Sequence, residues 1–425
     1  MHQNSLEAIG KGYFKRFGFK KEGIKYQPSP EMKLCVIIPC YDEPDVLLTL
    51  NSLKNCHAPQ YPIEVILVIN AGLQEYNVHV RNRHSYEEVL RWQRVNSPHW
   101  LSLYVMLAND LPAKHAGVGL ARKIGMDEAL RRFVRIKYKG MLVCLDADCT
   151  VAPNYLQVLE SVHIKEAPAS TSIHFEHQYK KINDGRLQIG IIYYELFLRY
   201  YANALGYSGY PFSMHTVGSS MTVRADTYAL SGGMNRRKAG EDFYFLHKVA
   251  PMGKFSNISD TCVYPSARIS ARVPFGTGKA QQEWLLNPKS RSYTYHIDIF
   301  DKLKGFLEMV PSLYSVDVPA IESVLSQLSP SIRDFLIKQE FLTKMVEINT
   351  HSNTYNAFSK KFFAWFDGFK VLKFVHFCKD HYYKPMELTK ASNLLLQRYG
   401  DKILHSPVEL LKHYRELDKN RRLSI

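Results

Sequence analysis

The chain has 425 residues, 46% of them apolar and 22% charged, a balance that excludes a disordered polypeptide and suffices for two or three domains with buried cores. A formal net charge of +15 points to anionic partners (nucleic acid, phospholipid or a phosphorylated small molecule) and says nothing about fold. Seven cysteines, an odd number with no C-x-x-C pair, argue against a disulfide framework and fit buried, reduced thiols in a cytoplasmic protein.

Residues 1–32 read as a basic arm. The stretch "GKGYFKRFGFKKEGIKY" interleaves six Lys/Arg with Tyr13, Phe14, Phe17 and Phe19, and it lacks the apolar run of a secretory signal. Such an arm suits an anionic membrane surface; a solvated arm packed by its own aromatics fits at least as well. Nothing in it resembles an RNA-binding motif, so no nucleic acid is expected.

Four short apolar runs follow, "LCVIIP" (34–39), "EVILVI" (64–69), "LSLYVML" (101–107) and "MLVCL" (141–145). They read as strands buried on both faces. Helical stretches at 45–56, 84–95 and 116–135 separate them. This alternation predicts an α/β fold with a mixed, mostly parallel sheet flanked by helices. The strands end in polar residues: Asp42 and Glu43 after the first, Asn70 after the second, Asp146 and Asp148 after the fourth. Ligands of open α/β sheets bind beyond such ends.

Asp146 and Asp148 are one residue apart in "MLVCLDADC". In an extended D-x-D both carboxylates face one way and repel unless a cation lies between them, so Mg²⁺ or Mn²⁺ is the economical partner. By itself, a D-x-D is more often a turn or helix cap; its place at a strand end reverses that preference. Upstream, "DLPAKHAGVGLARKIG" gathers Lys114, His115, Arg122 and Lys123 at a glycine-rich helix entrance suited to a diphosphate. Gly117 and Gly119 are not a dinucleotide fingerprint, because Arg122 stands in the third-glycine slot. The segment 187–205 is too polar for a membrane span, and its Glu195 and Arg199 have helical ion-pair spacing. His174 and His177, three apart on a strand, point to opposite faces, so a bound metal is not expected there and satisfied polar histidines are the better reading.

Downstream, "GEDF" places Glu241 and Asp242 at a helix start, either as ordinary dipole-favoured acids or as candidates for general acid–base work. The stretch "PSARISARVPFGTGKA" offers Arg268, Arg272 and Lys279 to an anion; a solvated basic turn is equally compatible. Beyond about residue 297 the text is helical.

Taken in order, "VIIPCYDE", "GVGLARKIGMDEAL", "MLVCLDADC" and "AGEDFYFLHKV" resemble the family 2 glycosyltransferases with the GT-A nucleotide-sugar fold, over about residues 33–280. The resemblance implies an inverting, metal-dependent transferase that uses a nucleotide-diphosphate sugar. It implies Asp146 and Asp148 as the D-x-D, with Asp148 leading on Mg²⁺ or Mn²⁺. Asp242 becomes the base, and Glu241 orients it or binds acceptor. Arg122, Asn70, Glu43, Lys114 and Arg272 fall on the donor side; Gly218, Ser219 and His215 of "HTVGSSM" border the acceptor, a glycan or a lipid-linked molecule. The expected division is a basic arm at 1–32, a catalytic domain at 33–280 and a helical extension at 281–425. The expected place is the cytoplasm, with the inner membrane face open as a docking surface.

Two departures stand out. Asn70 occupies the position where many members carry a uracil-reading aspartate. The Q-x-x-R-W motif of processive synthases is not evident and no spans are visible, which favours single-sugar transfer. The rivals are a sugar-phosphate nucleotidyltransferase, against which the acidic "PCYDEPD" speaks, and a catalytically silent scaffold binding glycans or membranes by charge.

Overall fold

The computed structural model describes residues 5–19, 22–270 and 276–420. Eight strands form one sheet: β1 (Leu34–Cys40), β2 (Ile63–Gly72), β3 (Leu101–Leu111), β4 (Met141–Cys144), β5 (Thr150–Val151), β6 (Ser170–Phe175), β7 (Met221–Arg224) and β8 (Phe255–Tyr264). Their order is β3-β2-β1-β4-β7-β6-β8-β5. The first four run parallel, β7 lies antiparallel between β4 and β6, β8 is parallel to β6, and β5 closes the far edge antiparallel to β8. Every residue of β1 and β2 is buried, which is why these strands read as unbroken apolar runs. The sheet is therefore the expected mixed, mostly parallel one. Strands β7 and β8, short or half-polar, carry no such run and were not anticipated.

Two compact units emerge. The first contains residues up to 182, residues 216–279 and those from 419 onward; the second contains 183–215 and 280–418. One break between the units falls at 279/280, and residues 183–215 group with the second unit. The N-terminal residues belong to the first unit. Its helix Leu6–Arg16 buries Tyr13, whose hydroxyl donates to Asp127 at 2.5 Å and accepts from the Lys123 ammonium at 2.6 Å. Past that helix, the amides of Gly23 and Ile24 donate to Glu128, and the Tyr26 carbonyl accepts from Arg132. These partners answer four buried charged residues of the helix Val118–Arg135, a cost no helix could bear unpaired. Lys11, Lys15 and Arg16 stay exposed.

The helix Gly185–Tyr207, expected within the catalytic domain, packs inside the second unit instead. Tyr200 meets Phe300 edge-on at 5.9 Å and Tyr207 meets Tyr399 at 6.0 Å. Glu195 and Arg199 pair as their spacing implies, at 2.8 Å, and Arg415 joins Glu195 through two further bonds of 2.8 Å. No helix among the described residues is long and apolar enough to cross a membrane.

Candidate active site

Because β1, β2 and β4 are parallel, their carboxyl ends deliver Glu43, Asn70, Asp146 and Asp148 to one edge of the sheet. After β4 the chain leaves the extended form. The Cys149 amide bonds to the Asp146 carbonyl at 3.1 Å, and the Thr49 hydroxyl pins the Ala147 carbonyl at 2.7 Å. The D-x-D is thus a turn, and its carboxylates meet different partners. Asp146 accepts from Arg122 at 2.5 Å; Asp148 lies 3.9 Å from the Arg268 guanidinium. Both acids are about one-third exposed (35% and 32%), so each keeps a face toward solvent.

Arg122 is the hub. It arises from the first turns of the helix Val118–Arg135, is 1% exposed, and is held by Asp146 on one side and Glu241 on the other. Burial opposes its charge, but the two carboxylates more than compensate and raise its pKa. The backbone of Gly218 rests on the same guanidinium: a Cβ there would lie 2.8 Å from its nearest nitrogen. Arg122, expected on the donor side, is thus buried and acts as an internal strut between Asp146 and Glu241. The glycines before it have a packing use as well, since a Cβ on Gly119 would stand 2.3 Å from the Arg237 carbonyl.

Glu241 and Asp242 open the helix Glu241–Val249 behind Gly240, whose φ of 69° is in the left-handed region. Burial pushes Glu241 up to about 7 against the pull of Arg122. Asp242 is also raised, by burial first, although the Phe243 amide donates to its carboxylate at 2.8 Å and the Gly218 amide lies alongside. It is closely surrounded by protein yet still reached by solvent. Asp146, Arg122, Glu241, Asp242 and Gly218, from four separate stretches of chain, form one constellation.

Glu43, 3% exposed, accepts from Arg268 and from the Asp45 amide at 2.9 Å, and Arg268 also meets Asp45 at 2.9 Å. Asp42 makes the turn before it at φ 49° and is held by Arg81. Asn70 is 1% exposed, and neither atom of its side-chain amide has a hydrogen-bond partner among the described residues. Such a buried amide in a native site calls for a ligand or an ordered water. Ser219 is buried against the Cys149 thiol. Lys114 is exposed on the turn after β3 and makes no ion pair among the described residues. His215 bonds Asp418 at 2.8 Å within the second unit, so its acceptor-side assignment gains no support from its contacts. Arg272 lies outside the described residues. Glu75 and Asn82 escaped the sequence reading: Glu75 accepts from Tyr41 and from the Gly72 amide, and Asn82 donates to the Asn70 carbonyl. Glu75 is the residue before the helix Tyr76–Asn96 and Asn82 is a buried residue within it, and no motif marks either.

The donor set fits a hard divalent cation in part. Asp146 and Asp148 offer part-exposed oxygens, the ligand type that Mg²⁺ and Mn²⁺ prefer, and two carboxylates leave the remaining positions to phosphate and water.

No family model matches the chain, and no curated protein matches it. Among solved structures, the 1–349 fragment of TarS from S. aureus in complex with UDP-GlcNAc is similar at 14% identity. That match covers 78% of this chain and 91% of the other, with a TM-score of 0.41. The mannosyltransferase PcManGT from Pyrobaculum calidifontis, in complex with GDP-Man and Mn²⁺, is 14% identical. It covers 82% of this chain and all of its own, with a TM-score of 0.34. Similarity at this level assigns no activity.

Proposed function

We propose that the chain is an inverting glycosyltransferase that moves one sugar from a nucleotide-diphosphate sugar to the hydroxyl of a glycan or lipid-linked acceptor. The observation that carries this reading is the convergence of Asp146, Glu241, Asp242 and Gly218 on buried Arg122, beside Asp148, at the carboxyl edge of a mostly parallel sheet. A crevice there needs one group to take a proton and another to hold a leaving diphosphate.

Asp242 is the base. Its raised pKa makes it a stronger proton acceptor than an ordinary aspartate, and solvent contact gives an acceptor hydroxyl access. Arg122 fixes Glu241 and Asp146, which keeps Asp242 and the D-x-D turn in a constant relation. Asp148 and the free face of Asp146 hold the divalent ion, which when bound supplies positive charge to the departing diphosphate. Arg268 is placed to add to that charge from its position against Asp148 and Glu43. We assign the unpartnered amide of Asn70 to the nucleobase edge, directly or through an ordered water.

Calorimetric titration of UDP- and GDP-sugars, with Mn²⁺ or Mg²⁺, on wild type and Asp148→Ala tests this reading. Metal-dependent binding that Asp148→Ala abolishes is the expected result and identifies the base. Absence of binding by any nucleotide sugar, with or without metal, would overturn the transferase in favour of a charge-binding scaffold.

A further inference from the structure

We propose that His174, Glu176 and Cys262 form a second metal site, selective for a borderline-soft divalent ion of the Zn²⁺ class and separate from the D-x-D turn. One imidazole nitrogen of His174, a carboxylate oxygen of Glu176 and the Sγ of Cys262 all lie within 4.8 Å of one another. In tetrahedral zinc sites, bonds of about 2.0–2.3 Å put ligand atoms roughly 3.3–3.8 Å apart, so small side-chain rotations close the cluster on an ion.

The backbone brings the three together. His174 and Glu176 are alternate residues at the end of β6, and the Glu176 amide continues the ladder by bonding the Val263 carbonyl at 3.0 Å. Between the pairs Ile173–Ile258 and Phe175–Val263, β8 uses five residues where β6 uses two. That irregularity presents Cys262 beside His174. The site is enclosed yet not sealed: His174 is 5% exposed, Glu176 22% and Cys262 9%.

The donors decide the class of ion. One imidazole nitrogen, one thiolate and one carboxylate favour Zn²⁺ over Mg²⁺ or Ca²⁺, which take oxygen. Without an ion, His174 and Glu176 are 2.9 Å apart and Lys419 lies 3.1 Å from the carboxylate, a local cation that competes with metal. The site adjoins the turn 216–220 and the strand that follows the D-x-D. Ile173 bonds the Ser220 carbonyl at 2.8 Å, and Tyr264, two residues past Cys262, pairs with Thr150, two past Asp148. An ion there ties β6 to the strand that leads to Arg268. The site does not depend on the transferase reading.

Cobalt titration of the full chain tests it, in wild type and in an Asp146→Ala/Asp148→Ala background that silences the other site. The expected result is a near-ultraviolet thiolate-to-cobalt band in both, displaced by Zn²⁺, absent in Cys262→Ser. His174→Asn should weaken binding at least about tenfold, and Lys419→Met should tighten it. Thermal melts of each variant show that the fold persists. No thiolate band in wild type at saturating cobalt, or a band that survives Cys262→Ser, would overturn the site; so would unchanged affinity in a folded His174→Asn.

Discussion

Replacing Arg122 by leucine removes the guanidinium shared by Asp146 and Glu241 and leaves Glu241, 4% exposed, as a buried acid without its cation. Breaking a buried pair from one side costs about 3–5 kcal/mol, and denaturant unfolding of Arg122→Leu should show a loss of that order. Asp242→Asn acts on a different quantity. If Asp242 is the base, kcat falls about 10²–10⁴-fold while donor binding is preserved. Its pH profile follows from the direction of its shift. A base works ionised, so wild-type activity drops as pH falls through a pKa raised above the ordinary aspartate range. Steady-state rates against pH should place that limb above about pH 4. At this scale the sequence was informative about which acids matter, because D-x-D and E-D are local patterns. It could not reveal that Arg122 faces inward, since exposure is a property of neighbours 24 and 119 residues away.

The turn 216–220 shows how an element can be fixed by what it lies against. Gly218 is pressed on the Arg122 guanidinium, and Gly218→Ala would push a methyl to 2.8 Å from it. Either the turn or the guanidinium must yield, and both hold Asp242 in place. The expected outcome is a loss of activity larger than any loss of stability, read by comparing kcat/KM with the unfolding midpoint. The strands divide along the same line. Those buried on both faces, β1 and β2, announce themselves by unbroken hydrophobicity. β7 has four residues and β8 mixes buried and part-exposed positions with polar residues in its first half, so neither stands out from a loop until its partners are known. The glycine-rich entrance "GVG" was legible as special; that Gly119 makes room for the Arg237 carbonyl was not.

Over the whole molecule, acid stability offers a test of the packed first unit. Burial pushes His163 down to about 4, whereas an unfolded chain titrates it near 6.5. Below pH 6.5 the unfolded state therefore binds the extra proton, and folding stability is lost as pH falls from about 6.5 to about 4. For a side chain 3% exposed the full effect approaches about 3 kcal/mol, at about 1.4 per pH unit. His163→Gln should flatten that stretch of the stability curve by urea unfolding. The N-terminal residues are integral to this unit: Tyr13, Gly23 and Ile24 satisfy Lys123, Asp127 and Glu128 of one helix. Composition made them look like a detachable basic arm, because charge is visible in sequence and the partners of a buried hydroxyl are not.

What the sequence determined by itself is what short-range physics writes locally: apolar runs that must be buried strands, helices spaced between them, and acids left at strand ends where an apolar sheet gives way to solvent. What only the tertiary structure decided is who meets whom. Arg122 becomes a strut, the helix Gly185–Tyr207 joins the C-terminal helices, and Cys262 arrives beside His174. Each outcome depends on contacts between residues far apart in the chain. Such pairings are set by the packing of the whole core, and no window of sequence contains them.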